Sequence, residues 1–273
     1  MKLDMFVVDA FTHERFKGNP AAVVLLTDWL AAACMQNIAA ENNLSETAFI
    51  KQVAGNTYDI RWFSPNTEID FCGHATLAAS FVLFSEFGVT GELCFQTQDV
   101  GNLIVSSSDG RMFDMSFPNQ QPGLLATAPQ ALLQGLSIKP KEVLRNRQAY
   151  FAVMASEDDV KAVSYERSEI EKLAPFDVVV TARSDNHDFV SRYFWPANGG
   201  DEDPVTGSIH AGLAPYWADK LNKRQLTAYQ ASPRGGLLYC RVNGERVMVS
   251  GEAVLYLRGQ IDIDSVHEQE EAR

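Results

Sequence analysis

Two stretches of this chain repeat one order of events. Arg61-Trp-Phe-Ser-Pro-Asn-Thr-Glu-Ile-Asp-Phe-Cys-Gly-His-Ala-Thr-Leu-Ala-Ala79 begins as a strand that ends in Arg-aromatic-Phe-x-Pro. An acidic loop follows, and Gly73 with His74 then opens an Ala-rich apolar helix. Arg192-Tyr-Phe-Trp-Pro196 starts the same way. Pro196 to Thr206 carries two prolines, two glycines and three carboxylates, which reads as a loop. After Gly207 and Ser208 the apolar residues Ile209, Leu213, Tyr216 and Trp217 return at helical spacing. From Arg61 to Gly73 is twelve residues and from Arg192 to Gly207 fifteen, so the second copy carries a three-residue insertion. Two such matches in halves of similar length predict an internal duplication. Each half would then direct a helix N-terminus at a shared cleft. The unpaired amides and the helix dipole there make a seat for an anion.

The length of 273 residues fits one large domain or two ordinary ones. Pro118-Asn-Gln-Gln-Pro-Gly123 is the natural linker. The expected division is therefore residues 1–117 and 118–256, with 257–273 packing back on the first half and the polar end from Asp262 to Arg273 fraying. A formal charge of -12 argues against a sequence-independent grip on nucleic acid or on an anionic membrane. No apolar run is long enough to span a bilayer, and Met1-Lys-Leu-Asp-Met5 lacks a signal-peptide pattern. Cys34, Cys72, Cys94 and Cys240 stand singly in apolar segments, which predicts reduced thiols and a cytoplasmic protein.

Strands are expected at Leu3–Ala10, Ala21–Leu26, Thr47–Val53 and Tyr58–Phe63, and a helix capped by Asp28 buries Leu30, Ala33, Cys34 and Ile38. The helix from His74 to Phe87 is apolar almost all round, so it is read as the buried centre of its half. Short strands follow at Glu92–Thr97, Asn102–Ser106 and Arg111–Phe117. The second half mixes helices near Pro129–Leu136 and Glu166–Leu173 with strands at Ala149–Met154 and Phe176–Thr181. After the helix to Leu221, four strands close the chain: Leu226–Gln230, Gly236–Val242, Arg246–Ser250 and Ala253–Arg258. The predicted class is α+β: two pseudo-symmetric halves, each a mostly antiparallel sheet wrapped round a central helix.

Few residues are placed to carry chemistry. Glu46, in Asn43-Leu-Ser-Glu-Thr-Ala-Phe-Ile50, sits where a helix end meets an apolar strand. A partly desolvated carboxylate there is suited to proton transfer, though a solvated strand-edge residue reads equally well. His74 at the helix start is either a cleft-facing partner or a polar residue of the first turn. Asp203 could hold an amine or hydroxyl, and Ser208, at the repeat position of His74, could bind a carboxylate with the first-turn amides. Cap and loop duties are the plainer alternative for both, and Glu202 reads as a solvated neighbour. Cys72 would matter if its twin were a thiol, as in a two-base racemase. The twin is Thr206, so Cys72 reads as a small buried apolar residue. The five histidines show no metal-ligand spacing with carboxylates or cysteines on one helix face, and no phosphate-binding glycine loop is present.

These pieces resemble the phenazine-biosynthesis PhzF-like isomerase family. The matching residues are Val8-Asp9-Ala10-Phe11-Thr12 with Gly18-Asn19-Pro20-Ala21, then Ser45-Glu46-Thr47-Ala48-Phe49, Phe71-Cys72-Gly73-His74-Ala75-Thr76, and Glu202-Asp203-Pro204-Val205-Thr206-Gly207-Ser208. They run in family order over nearly the whole chain. The resemblance implies the diaminopimelate epimerase-like fold, with a cleft between the halves. It also implies a cofactor-free isomerisation of a small carboxylate-bearing substrate by a homodimer. Glu46 matches the family's proton-transferring glutamate; His74, Asp203 and Ser208 match its substrate-positioning residues. Gly73 and Gly207 match the glycines whose neighbouring amides hold a carboxylate. The rivals are an amino-acid racemase or epimerase using Cys72, and a non-catalytic small-molecule-binding protein on the same scaffold.

Overall fold

A computed structural model describes residues 1–98, 100–107 and 109–263. Residues 264–273, most of the polar end expected to fray, lie outside the described residues. The chain divides into two compact units, one of Met1–Ser116 with the chain from Gly251 onward, the other Phe117–Ser250.

The first unit holds β1 (Lys2–Ala10), β2 (Asn19–Leu26), α1 (Ala32–Asn42), β3 (Glu46–Ala54), β4 (Thr57–Phe63), β5 (Glu68–Ile69), α2 (Gly73–Ser85), β6 (Leu93–Gln96), β7 (Leu103–Ser106) and β8 (Met112–Pro118). β1 runs antiparallel to β2, β2 parallel to β3, and β3 antiparallel to β4. β4 then pairs antiparallel with the short β5 and parallel with β6, after which β7 and β8 continue antiparallel.

The second unit holds β9 (Gly123–Leu124), α3 (Gln130–Gly135), β10 (Glu142–Arg145), β11 (Ala149–Val153), α4 (Glu157–Ala162), α5 (Arg167–Ile170), β12 (Asp177–Arg183), β13 (Phe189–Phe194), β14 (Glu202–Asp203), α6 (His210–Leu221), β15 (Gln225–Gln230) and β16 (Gly236–Asn243). Its pairings repeat those of the first: β10 antiparallel to β11, β11 parallel to β12, β12 antiparallel to β13, and β13 beside both the short β14 and the parallel β15. The duplication read from two loops therefore extends to the strand order and direction of each unit. β17 (Arg246–Asp262) serves both sheets, pairing through Arg246–Ser250 with β16 and through Ala253–Asp262 with β1.

Each sheet encloses one helix. α2 is buried at Gly73 through Ser80 and again at Val82 and Leu83, so its apolar sequence all round has an interior to fill. Its polar members are satisfied locally: Thr76 Oγ1 donates to the Cys72 carbonyl at 2.6 Å and Ser80 Oγ to that of Thr76 at 2.8 Å. α6 is buried from His210 to Ala218 although Pro215 lies inside it. A proline there removes the bond that the Ala211 carbonyl would receive. Gln120 N–H fills that place at 3.0 Å, so the helix continues.

Some expectations fail for identifiable reasons. Asp28 caps no helix: α1 starts at Ala32 behind Ala31, with no side-chain cap, and Trp29 lies instead against the Lys51 and Arg61 cations at 5.4 and 5.5 Å. The two strands expected at Arg246–Ser250 and Ala253–Arg258 are one. Gly251 between them is no turn: a Cβ there would lie 2.3 Å from Phe11 Cδ1, so glycine serves close packing within a continuous strand. α4 was missed, although Ser156 accepts from Asp159 N–H at 3.1 Å and three acids fill the first turn.

Candidate active site

The parallel pairing of β2 with β3 places the starts of both strands together, Ala21 opposite Glu46. The turn before β2 needs Gly18, whose φ of +63° and 2.1 Å clearance from the Ala10 carbonyl exclude any side chain. Asn19 then begins β2 fully buried, and Glu46 begins β3 at 8% exposure. Cys72, in extended conformation, leads into α2, whose first turn carries His74 at 4% exposure. A solvated strand-edge role for Glu46 does not fit this burial.

His74 is the hub. Its Nε2 stands 2.8 Å from Glu46 Oε2. Its Nδ1 is 3.1 Å from Asn19 Nδ2 and 3.4 Å from Cys72 Sγ. The Glu46 contact is short but off the line of a good hydrogen bond, so it is an ion-pair approach. Burial works against an imidazolium here. The close neighbours Cys72 and Glu46 outweigh it and hold the ring well above its usual 6.5. The Cys72 thiol is itself pushed up to about 11, chiefly by burial and then by the Glu46 charge. It is uncharged near neutral pH, so Glu46 supplies the charge that His74 responds to. A neutral ring accepts from Asn19 Nδ2; an imidazolium turns its Nδ1 proton to the Cys72 sulfur or to an exchanged Asn19 amide. In both states Nε2 carries a proton and faces Glu46.

Sequence spacing on one helix face had shown no metal-ligand set. The fold assembles one from two elements: single ligand atoms of Glu46, Cys72 and His74 all lie within 4.8 Å of one another. Asn19, read in the sequence as part of a turn, was also missed as a partner of His74. The signal that could have found it is an amide at the mouth of an otherwise apolar strand.

In the second unit the acidic loop is tied by hydrogen bonds. Gln230 accepts from Thr206 N–H at 2.9 Å and donates to the Asp203 carbonyl at 2.8 Å. Thr206 Oγ1 donates to Asp203 Oδ2 at 2.5 Å. Glu202 is no free solvated acid; it receives both ends of the Arg192 guanidinium at 2.7 and 2.8 Å. The first copy holds the same clamp, Arg61 to Glu68 at 2.6 and 2.7 Å. The helix opens loosely, with amides of His210 and Ala211 bonded to the carbonyls of Gly207 and Ser208 three residues back.

Ser208 ends a directed chain. Tyr193 Oη donates to Asp177 Oδ2 at 2.5 Å, so it accepts from Gln148 Nε2 at 3.1 Å. The same amide donates to Ser208 Oγ at 2.9 Å. Ser208 thus accepts from the protein, and its own proton is left for an acceptor oxygen. Burial holds the Asp177 carboxyl above its usual value and pushes the Tyr193 phenol well above 10.

Fold and geometry together define a duplicated α+β protein of the diaminopimelate epimerase-like fold, with a buried glutamate–histidine pair in its first unit. The chain belongs to the family described as phenazine biosynthesis-like protein, whose sequence profile matches residues 8–259. It is 46% identical to an uncharacterized isomerase of Pseudomonas aeruginosa over 96% of this chain and 99% of that one. It is 42% identical to an uncharacterized isomerase of Halalkalibacterium halodurans, covering 96% and 99%. The crystal structure of a phenazine biosynthesis protein of the PhzF family from Enterococcus faecalis superposes with a TM-score of 0.91 at 44% identity, over 96% of this chain and all of that one. No helix among the described residues is long and apolar enough to cross a membrane.

Proposed function

We propose that this chain is a cofactor-independent isomerase that moves a proton between carbons of a small carboxylate-bearing substrate, with Glu46 as the acid and base. The observation that carries this reading is the buried approach of Glu46 Oε2 to His74 Nε2 at 2.8 Å, at the start of the central helix. A carboxylate beside an imidazole and largely buried can take a proton from one carbon and return a proton to another. His74, held by Asn19, orients it. Asp203 and Ser208 are assigned to substrate positioning, and the amides beside Gly73 and Gly207 to a carboxylate. The donor polarity of Ser208 supports an acceptor oxygen as its ligand. A homodimer and a cytoplasmic location rest on the family resemblance and, for the second, on the four free cysteines.

The test is a thermal-shift screen against small cyclic and amino carboxylic acids, followed by proton NMR in deuterated water. Glu46→Gln, folded by circular dichroism, should lose carbon-bound proton exchange by about 10²–10⁴-fold. Full exchange in that variant would remove Glu46 from the chemistry. A ligand that stabilises wild type without any exchange would instead favour a binding protein. A second reading uses the Cys72 thiol as the base, and its 3.4 Å approach to His74 Nδ1 favours it. Against it stands the thiol's uncharged state at neutral pH. Cys72→Ala separates the two: it abolishes turnover only if the thiol is the base.

A further inference from the structure

We propose that Glu46, Cys72 and His74 form a three-ligand site for a divalent cation of the zinc class. The donor set is a carboxylate oxygen, a thiol sulfur and an imidazole nitrogen, all within 4.8 Å of one another. Sulfur with nitrogen selects borderline-soft ions over magnesium or calcium, which prefer oxygen alone. Bonds of about 2.0–2.3 Å at tetrahedral angles place ligand atoms roughly 3.3–3.6 Å apart. His74 Nε2 lies 2.8 Å from Glu46 Oε2 and 3.9 Å from Cys72 Sγ, on either side of that spacing. The carboxylate–imidazole pair has to open and the sulfur to close in, which side-chain torsions can supply.

Two further features favour an ion. Glu46 Oε2 is buried and meets no donor in hydrogen-bond geometry among the described residues; its close contact is the off-line approach of His74 Nε2, the nitrogen that the ion would also take. With an ion on Nε2 the ring's proton lies on Nδ1, and Asn19, 3.1 Å away, can take it as an outer partner once its amide is turned to present Oδ1. Coordination displaces the Sγ proton to the buffer, leaves the ring neutral with its one proton on Nδ1, and forms N–metal, S–metal and O–metal bonds, leaving a fourth position for water or a ligand oxygen. It also occupies the carboxylate oxygen that proton transfer needs, so such an ion is an inhibitor and not a cofactor.

Cobalt(II) titration of the purified full chain tests the site by binding and not by turnover, so it stands or falls independently of the isomerase reading. The expected result is one equivalent bound, with four-coordinate visible bands and a thiolate-to-cobalt charge-transfer absorption, both displaced by zinc. Cys72→Ser and Cys72→Ala should each lose the charge-transfer absorption. Calorimetric zinc affinity should fall by more than about 100-fold in each, and in Glu46→Gln, more than outer-shell changes cost. In wild type, zinc should also protect Cys72 from alkylation. Absence of a charge-transfer absorption in wild type at excess cobalt would overturn the proposal. So would its persistence in both folded Cys72 variants, which would place the ion on Cys34, Cys94 or Cys240.

Discussion

His210 opens the central helix of the second unit fully buried, stacked on Phe189 at 5.8 Å between ring centres. Its Nδ1 lies 2.8 Å from the Thr206 carbonyl, which can only accept, so Nδ1 carries the proton. Nε2 then holds a lone pair with no partner among the described residues, and a second proton there would be an unpaired buried charge. Burial accordingly lowers the ring's pKa from 6.5 to about 4, the bond to Thr206 opposing it only in part. Between these values the unfolded chain binds the proton and the folded chain does not. Stability therefore falls as pH drops below 6.5 and levels off below about 4. The loss at pH 5 is about 2 kcal/mol, and the full gap is worth about 3.4 kcal/mol.

Urea denaturation of wild type and His210→Gln at pH 7 and pH 5 isolates this contribution. The variant loses stacking and the Thr206 bond, but those losses carry no pH dependence, and every other titrating group is common to both proteins. Wild type should lose about 2 kcal/mol more than the variant between the two pH values. Parallel losses would refute a neutral buried imidazole. Functional weight follows from position, because His210 holds the carbonyl of Thr206, in the loop that carries Asp203 and Ser208.

Gly251→Val would drive its Cβ into Phe11 at 2.3 Å and against Leu77 at 3.4 Å, and should cost about 1–3 kcal/mol in urea unfolding. The two arginine clamps should differ. Arg192→Met strands a carboxylate only 16% exposed and the Val163 carbonyl it also serves, costing about 3 kcal/mol, whereas Arg61→Met leaves the more exposed Glu68 and costs about 1 kcal/mol by the same assay. Gln148→Glu turns a donor into an acceptor beside Ser208 and takes up the hydroxyl proton. The thermal shift produced by a bound carboxylate should shrink in that variant while the melting temperature without ligand moves little; an unchanged ligand shift would remove Ser208 as the donor.

Much of the fold was legible because the chain states it twice. Helix entry, acidic loop and Arg-aromatic-Phe strand recur with one insertion, and a second copy turns a weak local signal into a constraint on topology. Glu46 and His74 stood out as polar residues against apolar runs, and the structure sets them side by side. What escaped depends on tertiary packing. Asn19 reaches His74 because α2 packs on β2, elements 55 residues apart at this contact. Cys72 looked inert for want of a twin thiol, yet its neighbours proved to be an imidazole and a carboxylate from another strand. Gln148 is joined to Ser208 across 60 residues of chain and to Tyr193 across 45, distances at which side-chain bonds leave no periodic trace.

The two copies divide into parts that were kept and parts that changed. In both, the strand after the parallel pair carries an arginine clamped by the glutamate of the next short strand, Phe63 facing Glu68 and Phe194 facing Glu202 in the same register. That clamp ties the strand to the loop that leads into the helix. The residues at the entry itself follow no such rule. Cys72 and His74 meet Glu46 in one copy, while Thr206 binds Asp203 and Ser208 receives the Gln148 amide in the other. One entry holds a titratable pair suited to moving a proton, the other hydroxyls and an amide suited to holding a ligand still. Chemistry on this scaffold can therefore change at the helix entries while the arginine clamps and strand register keep the fold.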